Sequence, residues 1–166
     1  QSHLTFHLVA LVPPGPEGPL KFEPPPNVVG LTRVELQVLD SGSADVRRLD
    51  DLMDQLEAPL LRLMSSGRLA DVEAVIETLR AAGPEAGRTA LLESRAAWRL
   101  LERMYQHQCP HTSFLEYFWT WRSLLLGLYS VLLTPLVPAR MYHALCTGYA
   151  GLYAARAHVA TGRPAL

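Results

Sequence analysis

The spacing of apolar residues changes along the chain, and each change marks an element. Residues 4–12, LTFHLVALV, are almost continuously apolar and rich in strand formers. Residues 32–39, TRVELQVL, alternate: Val34, Leu36 and Val38 fall on one side, Arg33, Glu35 and Gln37 on the other. Period two is the signature of a strand with one wet face. Between the two runs lies PPGPEGPLKFEPPP, with seven of the 13 prolines. Proline fixes φ and removes a backbone donor, so this stretch forms neither a helix nor a central strand. The expectation is a β-hairpin over residues 1–40, closed by a Pro-rich loop over 13–30.

After DSGSAD the period lengthens. Val46, Leu49, Met53, Leu56, Leu60 and Leu63 recur every three or four residues, a helical stripe. Asp40, Ser41 and Ser43 are its candidate caps. Pro59 inside the pattern predicts a kink or a split. A second helix is predicted from Arg68 to Ala82, with Leu69, Val72, Ile76 and Leu79 on one face. A third runs from Glu85 to His107, with Leu91, Trp98, Leu101 and Tyr105 in its stripe, until Pro110 stops it. The fourth starts near Ser113, where Ser113 or Thr112 caps and Glu116 completes a capping box, and ends at Thr134 before Pro135. The fifth spans Ala139 to Thr161 and stops at Gly162. The fold class expected is α+β, predominantly α. Its architecture is a two-stranded hairpin packed on about five helices (44–161), all in a single domain of 1–166.

The stretch SFLEYFWTWRSLLLGLYSVLLTPLVPARMYHAL, 113–145, holds the longest uncharged run, the 17 residues between Arg122 and Arg140. A spanning helix needs about 20 apolar residues, and Pro135 and Pro138 shorten this one further. Its apolar residues instead cover three sides. Phe114, Phe118, Trp121, Leu125, Leu128 and Leu132 form one stripe; Leu115, Trp119, Leu126, Tyr129 and Leu133 a second; Tyr117, Leu124 and Val131 a third. A helix apolar all round is a core helix. Trp119 and Trp121 are two apart, so they point to different sides and one is free for a partner. Tyr117, Trp119, Trp121 and Arg122 are therefore the candidate partner-binding residues, being of types that anchor interfaces. The fifth helix carries Ala144, Gly148, Gly151, Ala154, Ala155 and Ala157, small residues that predict close packing, most simply on the fourth.

Composition narrows the function. The 166 residues carry 15 Lys+Arg against 16 Asp+Glu, a net charge of −1, so nothing marks a nucleic-acid binder. At 49% hydrophobic and 19% charged the chain is globular. Lys21, Asn27 and Ile76 are single occurrences of their types, the bias of a high-GC coding sequence. The start at Gln1 without methionine is the pattern of a fragment or a processed chain. Cys109 and Cys146 are too few for a disulfide framework and point to an intracellular, reducing compartment.

Candidate chemistry is sparse. His107, Cys109 and His111 have metal-ligand character, with His158 as a fourth member across the helical hairpin. The spacing matches no common zinc pattern. His143 and Cys146 lie too far along the hairpin to join them, about 27 Å of helix rise away, which also disfavours a Cys109–Cys146 bridge. Asp50, Asp51 and Asp54 lie on the wet side of an amphipathic helix. There is no phosphate-binding glycine loop, GxSxG, HExxH or CxxC. No cofactor and no catalysis are expected. The reading is a non-enzymatic interaction or scaffold domain, a subunit of a protein complex that binds another protein or a second copy of itself through apolar-aromatic helix surface or the hairpin edge. The alternatives are a membrane-proximal domain with 113–138 at a bilayer interface and a secreted helical-bundle ligand.

Overall fold

The structure, a computed structural model, describes residues 4–16, 18, 20, 23–39, 46–83 and 87–166. The class is α+β and mainly α. Strand β1 is Phe6–Val12 and β2 is Val28–Glu35. Among the described residues five α-helices follow: α1 Val46–Ser66, α2 Leu69–Ala82, α3 Arg95–Gln108, α4 Phe114–Leu133 and α5 Tyr149–Thr161. A π-helical turn, Thr89–Glu93, precedes α3. The predicted caps Asp40, Ser41 and Ser43 and the predicted helix start at Glu85 lie outside the described residues.

The strands correct the expected hairpin. β1 and β2 pair in parallel, from Phe6 opposite Val28 to Val12 opposite Glu35, with an irregularity between Phe6 and His7. A parallel pair needs a crossover of a dozen or more residues rather than a tight turn. The Pro-rich segment between Val12 and Val28 supplies that length. The second strand also begins earlier than its alternation suggests and ends at Glu35. Gln37 sits at φ 68, which turns the chain, so Val34 is buried while Val38 is exposed. Ser130 of α4 anchors this turn by accepting the Gln37 N–H at 3.1 Å.

Leu49, Met53, Leu56 and Leu60 of α1 meet Val72, Val75, Ile76 and Leu79 of α2, Leu100, Leu101 and Met104 of α3, and Trp121, Leu125, Tyr129 and Leu132 of α4 in one core. Pro59 does not split α1; it is itself buried within the continuous helix. A mid-helix proline costs about 3 kcal/mol, and burying Leu56 and Leu60 on either side contributes about 1.5–3 kcal/mol each. The predicted third helix is broken at Ser94, which is extended (ψ 160) and caps α3 by accepting the Ala97 N–H. The break resets the helical phase. Ala97, Leu100, Leu101 and Met104 become the buried face, and Trp98 turns outward.

A second, smaller core holds Val131, Tyr142, Tyr153, Ala154 and Ala157, with Val9, Leu11 and Leu36 packed against it. α4 thus serves both cores from Trp121 to Leu132, as its three apolar sides predict. The fifth helix starts ten residues later than expected, at Tyr149. Tyr142 instead forms a parallel bridge with Ala165: its N–H donates to Pro164 O at 2.9 Å and its carbonyl accepts Leu166 N–H at 3.0 Å. Those backbone groups are then lost to a helix. Gly148, at φ 78, turns the chain into α5. Among the described residues no helix is long and apolar enough to cross a membrane.

Candidate functional site

The largest feature with recognition chemistry is an aromatic surface where α3 and α4 meet. Ser113 caps α4 by accepting the Glu116 N–H at 3.5 Å, which fixes the phase in which the aromatic residues emerge. Phe114 stacks edge-on against Tyr105 (centroids 5.1 Å, 84°) and against Trp98 (5.8 Å, 67°). Phe118 lies 5.9 Å from Trp98 and 5.0 Å from Trp119. Such tilted and edge-to-face pairs add stabilisation beyond burial and hold the rings in fixed orientations. The outermost members are open: Leu115 is 64% exposed, Trp119 58% and Trp98 46%.

The two candidate tryptophans separate. Trp121 is 3% exposed, and its indole N–H points at Met104 Sδ, 3.4 Å away. Trp119 faces outward on the same turn. Tyr117 is half-buried; its hydroxyl donates to Gln108 Oε1 at 2.9 Å. Burial first, and negative charge on the nearby Cys109 sulfur second, push its pKa up to about 12. Arg122 reaches Glu93 at 3.5 Å and lies beside the core. Of the four candidates, only Trp119 is largely open to an approaching molecule. Trp98 was missed because its stripe counted it as core; the serine three residues before Ala97, a capping residue inside a helical pattern, is the signal that could have found it.

Several charges around the surface are already engaged. Trp98 donates to Glu102 Oε1 at 2.7 Å. Arg103 spans from α3 to α1, at 2.8 Å from Asp54 and 2.5 Å from Glu57, and Arg99 pairs with Asp50. Asp50, Asp54 and Glu57 of α1 therefore serve as ion-pair partners of α3 on an exposed flank.

The metal candidates are dispersed. His107 and His111 are exposed and Cys109 is half-buried beside the end of α3. His158 Nδ1 is 2.8 Å from the Arg163 carbonyl at the far end of α5. Among the described residues no group of three or more His, Cys, Asp or Glu side chains could hold a metal ion. Cys109 and Cys146 are both free thiols. An apolar cleft on the sheet, lined by Leu8, Leu20, Pro24, Val28, Val29, Gly30 and Leu31, offers no titratable side chain.

No curated protein matches this chain, and no solved structure matches it. The family described as "Domain of unknown function (DUF3492)" matches over residues 1–166, so the chain belongs to that family.

Proposed function

We propose that this domain is a non-catalytic interaction unit, a scaffold or subunit of an intracellular protein complex. It engages another protein, or a second copy of itself, through the Trp98–Leu115–Trp119 surface. The observation that carries this reading is the exposure of Trp119 and Leu115 on rings that are already fixed beneath them. A rigid tryptophan at the rim of a packed aromatic row loses little conformational entropy on binding, and Trp is among the residue types enriched at binding hot spots.

The test is the paired substitution Leu115→Asp and Trp119→Asp. Leu115 is on the surface and Trp119 loses one ring contact, to Phe118, so stability should fall by no more than about 0.5–1.5 kcal/mol and the fold should persist. Native mass is measured for the purified chain, alone and with cell extract. A complex formed by the parent and lost in the variant supports the proposal. Equal masses for parent and variant overturn it. Flotation of the parent with liposomes would instead favour a membrane-interface role for the same residues.

A further inference from the structure

The two parallel ladders lie on one apolar core. Tyr142 of the segment 141–145 belongs to the core of Val131, Tyr153, Ala154 and Ala157, and Val9 and Leu11 of β1, Leu36 after β2, Ala144 and Ala165 pack against that core. The backbone alternation of each ladder is known. Phe6 N–H donates to Asn27 O and Val12 O accepts Leu36 N–H, both at 2.8 Å, so the even-numbered residues of β1 face β2. His7, Val9 and Leu11 then direct their N–H and C=O groups to the opposite edge. In the other ladder Tyr142 and Ala144 bond to the Pro164–Leu166 segment, so His143 directs its own groups away from it. Among the described residues, no hydrogen bond joins these two edges.

We infer that segment 141–145 is a strand poised to close on the edge of β1 that is unpaired among the described residues, making one four-stranded parallel sheet in the order β2, β1, 141–145, 164–166. Three independent features agree. Both ladders are parallel, and α5 links 141–145 to 164–166 as a parallel crossover requires. The side chains sort to the same faces: Val9, Leu11, Tyr142 and Ala144 go inward, while Phe6 and, at 89% exposed, Leu145 go outward. The run Leu8–Val12 is apolar at successive positions, which is the composition of an interior strand of a parallel sheet and not of an edge. β1 also carries no charge or proline to guard an open edge. This inference is independent of the aromatic surface on α3 and α4.

Amide hydrogen exchange and nuclear Overhauser contacts on the ¹⁵N-labelled full chain test it, without any variant whose folding is in question. Closure predicts that the Val9, Leu11 and His143 amides exchange at least about 100-fold slower than free peptide. It also predicts backbone contacts between β1 and 141–145. Exchange of these three amides near the free rate, with Leu8, Ala10 and Val12 still protected, overturns it. So does protection of Val9 and Leu11 without any contact to 141–145, because something else would then cover the edge.

Discussion

The ring of Tyr149, in the first turn of α5, lies directly over Gly127 in the middle of α4, occupying the place a Cβ would take. The small residue that permits close helix packing is therefore on α4, and the large one on α5. Gly151, which looked like a packing glycine, has only the Cys146 carbonyl within 4 Å of its would-be Cβ, at 3.9 Å.

Gly127→Ala should lower stability by about 1 kcal/mol. Alanine gains about 1 kcal/mol of helix propensity, but overpacking costs about 1–3 kcal/mol. In a Tyr149→Ala background the same substitution should raise the unfolding midpoint, since only the propensity gain remains. Urea unfolding of the four proteins measures the cycle; a Gly127→Ala effect of the same sign in both backgrounds would show that the ring moves freely.

Tyr129 is fully buried and its hydroxyl has no partner among the described residues. A buried donor without a partner costs about 1–3 kcal/mol. Tyr129→Phe should thus leave stability unchanged or raise it by about 1 kcal/mol, whereas Tyr129→Ala should cost about 3–5 kcal/mol. A phenylalanine variant less stable than the parent by over about 1 kcal/mol would mean that the hydroxyl is bonded.

Alkaline pH should unfold the protein earlier than it ionises its buried phenols. Burial pushes Tyr117 up to about 12 from 10.0, and it raises Tyr129 as well. Between the unfolded and folded values the native state holds protons that the unfolded state has lost. Stability is then complete below pH 10 and falls as pH rises towards 12. Tyr129→Phe should reduce the slope of that fall, as read from unfolding midpoints at successive pH values. An unchanged slope would place the loss elsewhere.

Arg103→Ala should cost no more than about 1 kcal/mol, and less in high salt, because its bonds to Asp54 and Glu57 lie on a solvated flank. Denaturation in low and in molar sodium chloride gives the comparison. A cost that ignores salt would assign the effect to the packing of the arginine stem.

Helix positions were legible where one face meets one core. Leu49, Met53, Leu56 and Leu60 of α1, Val72, Ile76 and Leu79 of α2, and Trp121, Leu125 and Leu132 of α4 are buried as their stripes predict, because a period of three to four is imposed by the helix itself and needs no partner to be read; Leu69, Leu115, Trp119 and Leu124, on the same stripes, are exposed. The phase of α3 was not legible. Ser94 satisfies its own backbone neighbours, donating to Ala90 O at 2.8 Å while accepting from Ala97 N–H, and so restarts the helix and moves Trp98 from the core to the surface. Of the candidate site, the types and spacing showed that Trp119 and Trp121 diverge. Which one faced water depended on where Met104 of α3 stood.

The sequence by itself determined the class, the order of strands and helices, the Pro-rich connection between the two strands and the largely apolar character of α4. These follow from local sterics and the period of burial. Only the tertiary structure decided that the strands run parallel, that residues 139–148 stay out of the helix and that Trp98 is open. In each case the backbone or side chain has two locally acceptable states, and the choice falls to partners distant in sequence: Val28–Glu35 for β1, Pro164 and Leu166 for Tyr142, and the α4 rings for Trp98.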